Sequence, residues 1–137
     1  MRVAFASDDT NEAVEAAERY VRENHELVVG SQSDVWPVMA AETAEKVASG
    51  EADLGVLMCW TGTGTAIAAN KVEGVRAAQA PDAWTARNAR RWNDANILTL
   101  SLKRLSPDVV VECVQAFLDV ESPDPEEVET IRLLDGK

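Results

Sequence analysis

Two hydrophobic periods alternate along the chain. Short continuous apolar runs are separated by segments whose apolar positions recur every third or fourth residue, the pattern of buried parallel strands covered by helices on both faces. Residues 2–7 read as a first strand, and Asp8, Asp9 and Thr10 after it offer N-cap candidates for a helix running to about Arg22. Residues 26–29 form a second, short strand. A polar loop, 30–34, leads through Trp36-Pro37 into a helix ending near Ser49-Gly50, where glycine suits the left-handed C-terminal position. Residues 53–59 are the most continuous strand pattern, and they run straight into Trp60-Thr61-Gly62-Thr63-Gly64-Thr65 before an Ala-rich helix over 66–70. A fourth strand, 74–79, precedes a helix over 82–92. A fifth, 96–100, precedes a helix over 107–118 that opens on Pro107, where the missing N–H costs nothing.

The segment Ser122-Pro123-Asp124-Pro125-Glu126-Glu127 interrupts the pattern, and residues 126–134 predict a last short helix docking elsewhere, on a neighbouring subunit. There is no internal repeat and no low-complexity linker. The expected architecture is a single α/β domain over 1–137, with 121–137 as a C-terminal extension. Its core is a three-layer, doubly wound, Rossmann-like five-stranded parallel sheet followed by a C-terminal helix. Ligands of such sheets lie beyond the carboxyl ends of the strands, at a switch point.

Composition narrows the function. The 137 residues carry 24 Asp and Glu against 13 Lys and Arg, a net charge of −11, and the basic residues are dispersed apart from Arg87, Arg90 and Arg91. That balance argues against nucleic acid, whose phosphates are held by clustered Lys and Arg. No apolar run approaches the roughly 20 residues of a membrane span, and Met1 to Phe5 lack the layout of a secretory signal. Two cysteines, Cys59 and Cys113, cannot staple a secreted scaffold, so a reducing cytoplasm is expected and each is read as a thiol. Only four of the cations are lysines, and a Lys-poor acidic surface is compatible with a salt-adapted source.

The candidate chemistry lies in the carboxyl-end loops: Ser7-Asp8-Asp9, the stretch 59–64, the Gln79-Ala80-Pro81 turn and the polar stretch 101–106. Backbone N–H groups in a glycine-rich turn that opens a helix suit a phosphate, carboxylate or enolate oxygen, although such turns also serve close packing. The turn is neither a Walker loop nor a dinucleotide fingerprint. Cys59, at a strand end beside a helix N-terminus, has the setting of a thiolate base or nucleophile; the plain alternative is a small buried hydrophobe, the role assigned to Cys113. Asp8 and Asp9 are also helix-cap candidates. Trp84 is expected in the core, and the three arginines are expected on a solvated face or compensating an anionic substrate.

The run from Gly55 through Cys59 to Lys71, followed by Gly74-Val75-Arg76-Ala77 and Trp92-Asn93-Asp94-Ala95-Asn96-Ile97-Leu98, resembles the ribose-5-phosphate isomerase B and galactose-6-phosphate isomerase family, as a divergent member. The likeness extends from the first strand to about Leu118. It implies a flavodoxin-like sandwich, commonly a homodimer or dimer of dimers with sites at the subunit interface, that interconverts aldose and ketose phosphates without metal or organic cofactor. By the same resemblance Cys59 is the proton-transfer base, in place of a glutamate that another branch carries at position 65. Thr61 then assists ring opening, Gly62, Thr63 and Gly64 hold the enediolate oxygen, and Asp8 and Asn93 hold substrate hydroxyls. Asp9 and Trp92 stand where the family usually carries histidines. His25 is the chain's one histidine, and the acidic 123–127 replaces the arginines that usually bind phosphate. An open-chain or unphosphorylated substrate suits those departures. Two rivals follow: a catalytically altered sugar-binding or assembly protein, and a thiol redox sensor built on Cys59 and Cys113.

Overall fold

The computed structural model describes residues 1–135, so the last two residues of the expected C-terminal extension, 136 and 137, lie outside the described residues. Elements alternate as the hydrophobic pattern requires: β1 (Arg2–Ser7), α1 (Glu12–Asn24), β2 (Glu26–Val29), α2 (Trp36–Ala48), β3 (Leu54–Cys59), α3 (Thr63–Ala69), β4 (Ala77–Gln79), α4 (Ala83–Asn93), β5 (Ile97–Ser101) and α5 (Pro107–Leu118). A short 3-10 turn, Pro125–Glu127, α6 (Val128–Arg132) and a second 3-10 turn, Leu133–Asp135, follow. No helix among the described residues is long and apolar enough to cross a membrane.

All strand pairings are parallel, in the order β2-β1-β3-β5-β4. The last two strands are exchanged relative to their sequence order, and burial gives the reason. Every residue of β5 is buried, which suits a position between two strands, whereas the three residues of β4 are half-buried or exposed and suit an edge. Strand alternation divides the core in two. Val3, Phe5, Val56, Met58, Leu98 and Leu100 face α1, α4 and α5; Ala4, Ala6, Leu57 and Ile97 face α2 and α3. The result is a three-layer, flavodoxin-like α/β sandwich.

Several local expectations are corrected. Residues 8–10 do not cap α1: Asp8 continues the extended chain, with its N–H on the Met58 carbonyl at 3.3 Å, and Asn11 is the cap. The Asn11 carboxamide accepts the Val14 N–H at 3.0 Å and donates to the Leu102 carbonyl at 2.7 Å, tying α1 to the loop after β5. Helix α3 begins in the glycine turn itself, at Thr63, not at Ala66, and β4 begins at Ala77, not Gly74.

Trp84 is 66% exposed, not in the core, and meets Trp92 edge to face at 5.7 Å. The arginines are not one solvated face. Only Arg87 is exposed; Arg90 is buried against Asp94 and the Ala95 carbonyl, and Arg91 grips Asp124 with two bonds of 2.9 and 3.1 Å, clasping the C-terminal extension to α4.

Because Asn11 serves two elements at once, Asn11→Ala is expected to lower unfolding stability by about 1–2 kcal/mol, the upper half of the range for a lost N-cap. Urea denaturation checks it.

Candidate active site

Wherever a doubly wound sheet reverses direction, the carboxyl ends of two strands diverge and leave a crevice. Here the reversal lies between β1 and β3, and the crevice is a cleft of about 410 Å³ lined by Asp8, Trp36, Cys59, Trp60, Thr61, Thr63 and Gly64. Asp8 arrives from β1, and Cys59 is the last residue of β3. Trp36, at the start of α2, closes one wall.

Strand, turn and helix are compressed into a few residues. Gly62 has φ +80°, a left-handed conformation that costs a side-chain-bearing residue strain, and a Cβ there would meet the Leu100 backbone at 3.0 Å. Gly64 serves a different purpose: a Cβ on it would lie 3.0 Å from the Trp36 ring, so its bare Cα is what lets the indole settle over the turn.

The thiol is buried, 6% exposed, and its sulfur has two polar neighbours. The Gly62 N–H donates to Cys59 Sγ at 3.1 Å, and the Thr65 hydroxyl lies 3.4 Å from it. Position 65, to which the resemblance assigns a glutamate in another branch, thus adjoins the Cys59 sulfur. Sequence reasoning named Thr65 only as that substitution and did not anticipate its contact.

With its N–H on sulfur, Gly62 leaves the donors for a substrate oxygen to its neighbours. Thr63 N–H makes a 3.3 Å bond to Thr61 Oγ1, the Thr61 and Thr63 hydroxyls are 2.6 Å apart, and the Gly64 N–H, in the first turn of α3, has no intrahelical acceptor.

The two acidic candidates differ in kind. Asp8 Oδ1 is buried without a hydrogen-bond partner, and burial, reinforced by the carboxylates of Asp9 and Asp34, raises its pKa above the ordinary value. Asp9 is exposed and accepts the Trp60 Nε1–H at 3.0 Å and the Thr10 N–H at 2.8 Å, which together hold it below the ordinary range. On the Trp60 ring, Lys103 Nζ sits 4.3 Å from the centroid. Asp9 therefore acts on Trp60, a wall of the cleft.

The remaining candidates are elsewhere. Trp92 and Asn93 end α4, which runs antiparallel to the strands, so they lie at the amino edge of the sheet. Asn93 lines a separate cleft with Asn70, Val75, Arg76, Ala78 and Ala95. An 11-residue helix, about 16 Å long, separates that edge from the one bearing Cys59. His25 directly precedes β2, at the amino edge too. Cys113 faces the interior under α5, where burial pushes its thiol up to about 11.

The sequence matches the pattern of the Ribose/Galactose Isomerase family over residues 3–133. The chain belongs to that family. Among relatives, Bacillus subtilis YwlF is 39% identical over 128 residues, 88% of this chain and 86% of that protein. The galactose-6-phosphate isomerase subunit LacB of Clostridium acetobutylicum is 40% identical over 101 residues, 73% of this chain but 58% of LacB. Among solved structures, ribose-5-phosphate isomerase B of Mycoplasma genitalium with bound ribulose-5-phosphate superposes with a TM-score of 0.86 at 28% identity, covering 98% of this chain and 94% of that one. The family's fold extends through the C-terminal segment as well as the sheet.

The carboxyl of Asp8 gives a pH test. Its folded-state pKa is raised, so its contribution to stability is complete below the unfolded value, about 3.9, and is lost as pH rises through the folded value. Asp8→Asn removes that loss. Its melting temperature is expected to exceed the parent's at pH 7, with the difference vanishing near about pH 3, as read by thermal unfolding at both pH values.

Proposed function

We propose that the protein is an aldose–ketose isomerase for a small sugar phosphate, with Cys59 as the proton-transfer base. The observation that carries this reading is the convergence, on one cleft, of a thiol that accepts a backbone N–H, an unpartnered carboxylate oxygen and the hydroxyl-rich turn 61–64. Such an isomerase must take a proton from the carbon beside a carbonyl, hold an enediolate and return the proton to the adjacent carbon. A thiolate at Cys59 takes the proton and, as a thiol, gives it back, so the enzyme ends unchanged. The Thr61 hydroxyl and the Gly64 N–H are the donors available to the enediolate oxygen. Asp8 Oδ1, without a protein partner, is left to accept a substrate hydroxyl.

A second copy of the chain completes the site in this reading. Trp92 and Asn93 reach the Cys59 cleft only from another protomer, and the exposed indoles of Trp84 and Trp92 offer an apolar surface for that pairing. The extension beyond residue 121 then packs against the partner through Leu133 and Leu134, both more than 60% exposed. Substrate choice is set by acid where the family usually carries base or histidine. Asp9 behind Trp60 and Glu126 and Glu127 in the extension favour a substrate that needs no imidazole to open a ring. A sugar-binding member that has lost catalysis is the second reading, and the same substitutions motivate it.

The test is turnover across tetroses, pentoses and hexoses, each with and without phosphate. At least one phosphorylated sugar is expected to be isomerised, Cys59→Ser to lose on the order of 10²–10⁴-fold in kcat, and Cys113→Ser to keep parental turnover. Full turnover by Cys59→Ser would rule out the thiol as base.

A further inference from the structure

Three consecutive carbonyl groups of the turn after β3 are each held by a side chain from the neighbouring strands. Ser101 Oγ donates to the Trp60 carbonyl, Gln79 Nε2 to the Thr61 carbonyl at 2.7 Å, and Thr99 Oγ1 to the Gly62 carbonyl at 2.8 Å. The donors are in register. Thr99 and Ser101 are two apart on β5 and so project from one face; Thr99 pairs with Gln79 across β4 and β5, and Ser101 pairs with Cys59 across β3 and β5. Both hydroxyls are buried in a strand that is otherwise apolar, beside Ile97, Leu98 and Leu100.

A trans peptide unit is planar, with its C=O and the following N–H pointing in opposite directions. Fixing the carbonyl therefore fixes the aim of the N–H. In the Thr61–Gly62 peptide the carbonyl is on Gln79 and the N–H is on Cys59 Sγ. The next peptide has its carbonyl on Thr99 and its N–H, that of Thr63, on the Thr61 hydroxyl beside the cleft. We infer that Gln79 and Thr99 are positioning residues of the isomerase site, orienting the peptides that deliver N–H donors to the Cys59 sulfur and to the Thr61 hydroxyl without touching substrate. The inference rests on Cys59 being the base. If the hydroxyls served only to satisfy buried carbonyls, their loss would be felt in stability alone.

The experiment compares Thr99→Val, which keeps the side-chain shape but not the donor, with Thr99→Ser, which keeps the donor. Gln79→Met is added because Gln79 is exposed on an edge strand and its replacement spares the core. The Gly62 carbonyl retains the Thr65 hydroxyl at 3.3 Å in Thr99→Val. Two readouts are taken in a Cys113→Ser background: the rate of Cys59 alkylation by iodoacetamide at pH 7, and the acid limb of the pH dependence of kcat. Gln79→Met, which frees the peptide carrying the Gly62 N–H, is expected to slow alkylation about tenfold and to move the acid limb about one pH unit higher; Thr99→Val, which frees only the next peptide, is expected to lower kcat about tenfold with alkylation at the parental rate, and Thr99→Ser to restore kcat. Parental alkylation and an unmoved acid limb in Gln79→Met, or parental kcat in Thr99→Val, whatever their melting temperatures, would overturn the inference. Alkylation does not depend on turnover, so a failure of Cys59 as base is detected separately, by activity in Cys59→Ser.

Discussion

A single 3.1 Å contact, the Gly62 N–H on the Cys59 sulfur, sets what the rest of the site must look like. For a donor three residues ahead to turn back on the last side chain of a strand, the chain must reverse at once. The left-handed Gly62 supplies the reversal, and α3 begins at the next residue. The reversal in turn brings Thr65 to the sulfur and Gly64 under Trp36, so the wall, the floor and the thiol of the cleft share one turn. The sulfur thus meets one backbone donor, the Gly62 N–H, and one hydroxyl, that of Thr65.

The sheet order makes this turn useful. With β1 and β3 adjacent and their connections departing in opposite directions, Asp8 and Cys59 flank the same crevice although 51 residues separate them in sequence. The exchange of β5 and β4 matters as much. It places the buried β5, with its two hydroxyls, directly beside β3, where Thr99 and Ser101 reach the carbonyls of the turn.

Much of the fold was legible because each strand is a continuous apolar run and each helix repeats every three or four residues. The cysteine at the end of a strand, followed by glycines, was legible too, since a chemical group at that position is a local feature. What was not legible depends on contacts between distant segments. Asn11 caps α1 in preference to the acidic residues before it because Leu102, 91 residues on, gives its amide a partner. Trp84 and Trp92 lie on one helical face, and periodicity cannot tell whether that face meets the sheet or the solvent. Arg90 and Arg91 have partners at Ala95 and Asp124 that no charge count reveals. Thr99 and Ser101 carried a weak signal, two hydroxyls at alternate positions of a buried strand, but their target became visible only with the strand order.

The net charge of −11 acquires an address in this account, since Asp8 lines the cleft and Asp9 holds Trp60 in its wall. In the proposed reading the site binds its substrate through few cations and relies on the thiol for chemistry. The most direct measurement of that claim is exchange of the hydrogen beside the carbonyl with deuterated solvent, followed by NMR on the sugar phosphate that the protein turns over. Exchange by the parent protein that disappears when Cys59 is replaced by serine is the predicted result. Saturable sugar binding with no exchange, or exchange undiminished in the serine variant, would contradict it.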